Sequence, residues 1–345
     1  MKKAIFTIIR AAIGIGLAVF LIRLTLRGAN MDIVQLWEEH LREALLPLLF
    51  VCLILHGVAL GIGSLRWRVL MTAQHIDISY LTTLRLALIG FFFNLAVPGA
   101  VGGDVVKVGY TMRRAPNKKT AAAFSIVVDR IMGILGLFIV AGVAVLFNLP
   151  TISRLGETSS FLQMGAILVG LGSVAGIFGF LALEYHARLV KHPRLQPLWD
   201  FCSRKLPHKI PETVLRLMHA LDLYRRSKLA LGKALLLSVC VHCTLALNMF
   251  LIGQALKEDQ LHIGEYFLTT QIANAVAAVP LTPGGLGLRD KGAQEFFAAL
   301  GMAEAKSGAI PVTLTMIILT WAVIGGIVFT IAPIHPHLPE EEDEE

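Results

Sequence analysis

Residues 91–107 read FFFNLAVPGAVGGDVVK, an apolar stretch that is interrupted halfway by Pro98-Gly99 and ends in charged residues. A helix that crosses a bilayer needs about 20 apolar residues, and this stretch breaks before reaching that length. Irregular backbone at membrane depth is tolerated only where protein covers it or where it lines a watery cavity. The stretch therefore predicts a segment that enters a membrane, turns at Pro98-Gly99 and returns, with Asp104 and Lys107 just after the turn.

The rest of the chain has the composition of an integral membrane protein. Of its 345 residues, 55% are hydrophobic and 16% are charged, whereas soluble domains carry about 25% charged residues. Six apolar runs are near or above the length that crosses a bilayer: 4–22, 44–65, 121–147, 161–183, 234–253 and 309–333. We predict an all-α membrane protein with six full spans, the first one retained because no small-residue cleavage site follows it.

The charges between these runs predict the orientation. The stretches 66–80, 103–120 and 184–233 have an excess of basic residues, so the positive-inside rule places them in the cytoplasm together with both termini. Residues 81–102 would then enter and leave on one side; a kinked full span with other loop assignments is the alternative. These loops also account for the net charge of +7, so nucleic acid is not an expected partner.

A second segment repeats the first pattern. Residues 282–291 read TPGGLGLRDK, in which a Pro-Gly pair is again followed by glycine and then by charged residues. Each half of the chain then contains two spans, a broken hairpin and a further span, with the second hairpin at 264–300. Because the first half crosses an odd number of times, the second begins on the opposite side. This is the inverted repeat of many secondary transporters, whose binding sites lie at the interrupted segments.

Two charged residues lie inside an apolar helix. Asp129 and Arg130 occur in SIVVDRIMGILGLFIV, roughly 13 Å along their helix. A charge at the centre of a membrane helix costs about 2.5–3.5 kcal/mol on insertion scales, and such charges tend to be functional. A buried ion pair that only joins this helix to the hairpin is the alternative. We expect Asp104 to cap a helix and to pair with Lys107, Arg130 or Arg289, or to carry a coupling proton.

The remaining motifs do not indicate an enzyme, a cofactor or a metal. The sequence contains no nucleotide-binding loop, nucleophile elbow, zinc-protease motif or dinucleotide fingerprint. Cys240 and Cys243 have C-x-x-C spacing without a second ligand pair, which favours packing over a metal site. His56 and His242, also within apolar runs, are expected to be satisfied core residues. An intramembrane transferase with an aspartate as base is an alternative that no recognisable catalytic set supports.

The basic stretch 184–233 contains a candidate surface helix. Its apolar residues recur at helical spacing among arginines, as in helices that lie on an anionic leaflet: Val214, Leu217, Met218, Leu221 and Tyr224. A plain cytoplasmic connector is the alternative. Residues 1–335 are expected to form one membrane domain, and the acidic residues 336–345 a disordered tail.

Three motifs, in this order, resemble a known family. They read NLAVPGAVGGDVVKVGY, VVDRIMGILGL and VPLTPGGLGLRDKGAQEFF, within a resemblance that covers roughly residues 5–333. The sequence is similar to the flippase-like transmembrane domain of lysylphosphatidylglycerol synthases, and to stand-alone bacterial membrane proteins built from that domain. The synthases append a soluble aminoacyl-transferase domain. This sequence ends at Glu345, so we do not expect transferase chemistry.

The resemblance implies that the protein moves a lipid, or a lipid-linked head group, between the leaflets of the bacterial inner membrane. Carried over by position, with Asn94 of the first motif added, the implied site consists of Asn94, Gly102, Gly103, Asp104, Lys107, Asp129, Arg130, Pro283, Gly284, Gly285, Gly287, Arg289 and Asp290. Family members more often have Arg at position 107 and Glu at positions 129 and 290.

The three cations of this set, Lys107, Arg130 and Arg289, are expected to hold the phosphate of an anionic or polyprenyl-phosphate-linked lipid. The three carboxylates would balance those charges or relay protons. A non-transporting accessory subunit that binds a lipid-modifying enzyme, such as a glycosyltransferase, is the alternative function.

Overall fold

The computed structural model describes residues 44–96, 102–184, 227–278 and 282–331, together with Arg42 and Tyr224. All regular structure in these residues is helical, which confirms the predicted all-α class. Numbered in chain order, the α-helices are α1 (Leu46–Ala73), α2 (Tyr80–Ala96), α3 (Gly102–Arg114), α4 (Lys119–Phe147), α5 (Leu149–Thr158), α6 (Ser160–Glu184), α7 (Lys228–Ala255), α8 (Ile263–Ala277), α9 (Leu288–Ala299) and α10 (Glu304–Ile331). Short 3-10 turns, Pro116–Lys118 and Pro283–Gly285, precede α4 and α9.

Within the described part of the chain, four helices are long and apolar enough to cross a membrane, namely α1, α4 with its 3-10 turn, α7 and α10. They coincide with four predicted runs, and α6 covers a fifth. Large apolar side chains such as Phe50, Ile54, Leu146 and Leu236 are exposed on these helices, as contact with lipid requires. The protein is an all-α integral membrane protein. The first predicted run, 4–22, lies outside the described residues, so the count of six spans stays a prediction.

The segment between α1 and α4 is a helical hairpin. On α3, Gly103 lies against Gly90 and Asn94 of α2, and Lys107, one turn further along, lies against Gly90. Residues later in α3 contact residues earlier in α2, so the two helices are antiparallel. Only a glycine at 103 permits this contact, since a Cβ there would be 1.9 Å from the Gly90 carbonyl oxygen.

Both ends of this hairpin lie at the same end of the molecule. The Lys118 ammonium, before α4, donates a hydrogen bond of 2.8 Å to the carbonyl oxygen of His75, after α1. The chain between these two residues therefore turns back on itself. The predicted turn at Pro98-Gly99 lies in residues 97–101, outside the described residues.

The segment between α7 and α10 forms a second hairpin of the same kind. The rings of Tyr266 on α8 and Phe297 on α9 are 5.0 Å apart, and Gly285 packs on Ala277 nearer the turn. The ends of the two hairpins meet, because Gly284 lies against Leu95 at the end of α2. The two broken segments found in the sequence are therefore neighbours in the fold.

The packing of the helices supports the predicted repeat. Helices α1 and α7 pack on each other, α4 packs on α7 and α8, and α10 packs on α1 and α2 in the same way. The same helix contacts are therefore found when each of α1–α4 is replaced by its counterpart among α7–α10 and the reverse. The Leu45 amide donates to the Ala255 carbonyl oxygen at 2.9 Å, and Arg66 donates to Ser238 at 3.0 Å, so α1 and α7 are antiparallel. Neighbouring helices related by an inverted repeat must run in this way.

The loops after α1 and α7 show a further similarity between the two halves of the chain. His75 and Lys257 both have left-handed backbone, with φ of 55° and 57°. Each carbonyl accepts a hydrogen bond from a lysine ammonium near the start of the span after the hairpin, Lys118 for His75 and Lys306 for Lys257. Left-handed backbone is uncommon outside glycine, so the shared conformation marks equivalent positions in the two halves.

The structure corrects two expectations. Arg66 and Arg68 belong to α1, which continues to Ala73, so the stretch 66–80 is not a loop throughout. Likewise 103–114 belongs to α3, which begins at Gly102; Asp104 is therefore in its first turn and is not its cap. Tyr224 of the candidate surface helix is buried and donates a hydrogen bond of 3.1 Å to the Leu70 carbonyl oxygen, so it packs on α1. The other apolar residues of that candidate helix lie outside the described residues.

Candidate functional site

The first charged cluster lies where α1, α4 and α7 meet. Arg66 donates two hydrogen bonds to the Asp129 carboxylate, from Nε at 2.7 Å and from Nη2 at 3.0 Å, and a third from Nη1 to Ser238 Oγ at 3.0 Å. Both charged side chains are 12% exposed. A two-pronged guanidinium–carboxylate pair is strong and geometrically specific. Asp129 therefore pairs across helices with Arg66, a residue that sequence reasoning had assigned to a loop.

Asp104 and Arg130 form a second ion pair, between α3 and α4. Arg130 Nε donates to Asp104 Oδ2 at 2.8 Å. Of the partners expected for Asp104, Arg130 is the one found. In the first turn of α3 the carboxylate also complements the positive end of the helix dipole. Its other oxygen, Oδ1, is buried and has no hydrogen-bond partner among the described residues.

Lys107 lies one turn after Asp104 on α3. Its ammonium is 5.2 Å from the centre of the Trp67 ring, within range of a cation–π contact. The Trp67 ring is itself fixed, because its N–H donates to Ser125 Oγ at 3.1 Å. Among the described residues, the Lys107 ammonium has neither a hydrogen bond nor an ion pair.

The charges around Lys107 do not balance. Four charged groups are near enough to act on its ammonium: Asp129, Asp104, Arg130 and Arg66. With Lys107 included, three cations face two carboxylates, and each arginine is already paired with one of those carboxylates. With Lys107 protonated, the described part of the first hairpin and its neighbours has one positive charge more than it has carboxylates, and that charge is on Lys107.

The second charged cluster lies between α9 and α10. Arg289 Nη2 donates to Asp290 Oδ1 at 3.0 Å and also contacts Thr315 Oγ1. The Thr315 hydroxyl donates to Asp290 at 2.8 Å, and the Gly287 amide donates to the same carboxylate at 3.3 Å. Arg289 and Asp290 are both buried. This cluster is balanced in charge. Thr315 had no sequence signal, because it is one of five hydroxyl residues in an otherwise mostly apolar helix.

Asp104 and Asp290 occupy equivalent places in the two hairpins. Each is the third residue of the second helix of its hairpin, α3 or α9. Each accepts a hydrogen bond from the following span, from Arg130 on α4 and from Thr315 on α10. The two halves thus share an aspartate at this position. Its partner is a charged arginine in the first half and an uncharged threonine in the second.

The other predicted site residues shape the hairpins. Asn94 Oδ1 accepts a hydrogen bond of 2.9 Å from the Gly103 amide, which ties the end of α2 to the start of α3. Gly102 is the first residue of α3. The turn after Pro283 has left-handed backbone at three glycines, where a side chain would be strained: Gly284, Gly285 and Gly287, with φ of 57°, 72° and 76°.

His56 is buried and His242 is partly buried. His242 Nε2 is 3.1 Å from the Gly133 carbonyl oxygen, so this ring has a partner on α4. The Nδ1 atoms of both rings are buried and have no hydrogen-bond partner among the described residues. The expectation of a satisfied core residue is therefore wrong for the Nδ1 atom of both histidines.

Comparison with known proteins agrees with the motifs. Residues 8–326 match the family described as the lysylphosphatidylglycerol synthase transmembrane region. The chain belongs to this family. Both hairpins and both charged clusters lie within the matched residues. The UPF0104 membrane protein PH1989 of Pyrococcus horikoshii is 25% identical over 342 residues, which are 95% of this chain and 96% of that protein. The resemblance predicted from three motifs is confirmed, and this family member is a multi-pass membrane protein.

Proposed function

We propose that this protein moves a phosphate-bearing lipid between the leaflets of the cytoplasmic membrane, as a flippase or scramblase. The lipid is anionic or linked to a polyprenyl phosphate. The observation that supports this most is the Lys107 ammonium on the first hairpin, which pairs with no carboxylate among the described residues. Membership of a family of membrane domains is consistent with it.

Physical reasoning links that charge to a phosphate. A cation in a low-dielectric site is costly unless an anion or hydrogen bonds compensate it. A lipid phosphate is an anion that a bilayer supplies. Arg130 is 48% exposed, so a phosphate that reaches Lys107 can also approach its guanidinium. Lys107 would bind the phosphate as a point charge, more loosely than the two-pronged contact of an arginine.

The hairpins supply a polar route in this proposal. We propose that α2–α3 and α8–α9 are re-entrant and that both termini are cytoplasmic. Charged groups then follow both breaks, and a head group would pass along them while its tails stay in lipid. Asp104 and Asp290 would hold the neighbouring cations in place or pass protons during transport.

Reconstitution tests this function. Purified protein in liposomes is expected to speed the exchange of labelled lipid between leaflets, relative to protein-free liposomes, for a glycerophospholipid or a polyprenyl phosphate. The assay is run with and without an imposed proton gradient. No acceleration with either lipid under either condition would contradict transport. Co-purification of a lipid-modifying enzyme would then support the accessory-subunit function.

A further inference from the structure

A cavity of about 190 Å³ lies between the two halves of the molecule. Residues from both halves line it, including the hairpin ends Leu95 and Gly284. It is separate from the Lys107 site. Gly90 and Asn94 of α2 face α3 and Lys107, whereas Phe91 and Leu95 of the same helix face the cavity. Helix α2 therefore stands between the two sites.

Four polar side chains converge on this otherwise apolar cavity: His56, Thr270, Asn274 and Arg289. His56 is 4% exposed and Thr270 is 2% exposed. Their Nδ1 and Oγ1 atoms, and Asn274 Nδ2, are buried with no hydrogen-bond partner in the described ranges. Arg289 uses Nε and Nη2 for Asp290 and Thr315, and Nη1 donates to none of the described residues.

Unpaired buried polar atoms are rare because each loses its bonds to water without replacement. One such atom is an isolated defect, whereas three on the wall of one cavity, beside Arg289 Nη1, favour a polar occupant. Asn274 Nδ2 and Arg289 Nη1 only donate, so the ligand must offer acceptor atoms. The hydroxyl of Thr270 and the ring of His56 can each donate or accept. An apolar ligand would leave all four unpaired.

The net charge of the residues around the cavity decides whether its ligand is an anion or a neutral polar group. Arg289 is already paired with Asp290, so this site has no net charge to offer. A phosphate here would leave one buried negative charge uncompensated, which is strongly unfavourable. At the Lys107 site the same phosphate would cancel an excess positive charge. The cavity therefore suits an uncharged group whose oxygens both accept and donate, which is a polyol.

The size of the cavity agrees with this. A cavity of roughly 150 Å³ with an apolar lining stays dry and holds benzene, whereas polar linings hold polar molecules. Its volume of about 190 Å³ has room for a glycerol unit or a six-membered sugar ring.

We propose that this cavity binds the uncharged, hydroxyl-bearing part of a lipid, a glycerol unit or a sugar. The proposal rests on the proposed function only for the view that the ligand is a transported lipid. Polyol binding itself does not depend on transport. Together the two sites define a substrate class in which a phosphate and a polyol occur in one lipid.

The test uses four soluble probes with the same octyl chain: octylglycerol, octyl glucoside, octyl phosphate and octyl methyl ether. Binding is measured by calorimetry on the purified full chain in a polyoxyethylene detergent, which has no sugar. We expect one of the two polyols to bind clearly more tightly than the ether. The glycerol and glucoside arms identify which polyol the cavity takes.

Two variants separate the sites. Asn274→Leu removes one donor at similar size, and should weaken polyol binding about fivefold to tenfold, as one lost hydrogen bond predicts, with octyl phosphate unchanged. Lys107→Met should do the reverse. Thr270→Ser keeps the hydroxyl and should retain polyol binding, which shows that α8 is folded.

Loss of octyl phosphate binding in Asn274→Leu would overturn the proposal in favour of an anion site. If the polyols bind no better than the ether, the proposal is overturned and the cavity holds water instead.

The outcomes also distinguish this proposal from the proposed function. Polyol binding without lipid exchange in liposomes would leave the cavity site standing and contradict transport. Lipid exchange without polyol binding would support transport and overturn the cavity site.

Discussion

Arg66, Asp129 and Lys107 share one apolar region but differ in what compensates their charge. Arg66 and Asp129 neutralise each other through two hydrogen bonds, whereas Lys107 rests on an aromatic face. The sequence predicted Asp129 as important because an acid within an apolar run is conspicuous. It could not predict the partner, because Arg66 directly follows its apolar run and only the extra length of α1 brings it inside.

The Arg66–Asp129 pair predicts a non-additive effect on stability. Arg66→Met leaves a buried carboxylate unpaired and should cost about 3–5 kcal/mol of unfolding free energy. The double variant with Asp129→Leu should recover most of that loss, because no charge is then left alone. Equilibrium unfolding in detergent micelles measures both. Lys291→Met is the control: it removes a pair with Glu295 whose side chains are 62% and 53% exposed, and should cost less than about 1 kcal/mol. A double variant as unstable as Arg66→Met would contradict the pairing.

At the scale of elements, the first hairpin depends on close backbone contact between α2 and α3. The Gly102-Gly103 pair was conspicuous in the sequence, and was assigned to the site through a family resemblance. The structure gives Gly103 a packing role against Gly90. Sequence patterns cannot distinguish the two roles. A Gly-Gly pair reads the same in the sequence whether it faces a ligand or packs against a helix.

Glycine-to-alanine changes test this contact. Gly103→Ala would place a Cβ 1.9 Å from the Gly90 carbonyl oxygen, so α3 must move away from α2. We expect a clear loss of thermal stability. Gly109→Ala on the same helix is the matched control, since a Cβ there meets nothing within 4 Å. The control should be stabilising by roughly 0.5–1 kcal/mol, because alanine favours helix. If the two variants were equally stable, the hairpin would not have this geometry.

At the scale of the whole molecule, the sequence predicted the repeat from two Pro-Gly motifs alone. The structure adds antiparallel α1 and α7, and matching left-handed residues at His75 and Lys257. These signals were not visible in the sequence, because a histidine and a lysine share no motif and their equivalence lies in backbone conformation. The meeting of the hairpin ends was also hidden, since it depends on how the two halves pack.

The repeat makes a prediction about sidedness. Single cysteine probes at Asp77 and Asn117, in a chain without its four native cysteines, should both be labelled from one side of the membrane, the cytoplasm. Probes at Asp259 and Ala303, in the equivalent loops of the second half, should both be labelled from the other side. All four positions are exposed. Asp77 and Asn117 on opposite sides would make α2–α3 a crossing segment and contradict the inverted repeat.

Leaflet exchange in liposomes tests most directly whether the unpaired cation of the first hairpin, Lys107, binds the lipid phosphate. The comparison is between wild type, Lys107→Met, Lys107→Arg and Lys291→Met, each confirmed to be folded and inserted at equal density. We predict that Lys107→Met abolishes the acceleration of labelled-lipid exchange. Lys107→Arg should keep it, because arginine supplies the same charge, and Lys291→Met should match wild type. Exchange by Lys107→Met at the wild-type rate would contradict the account.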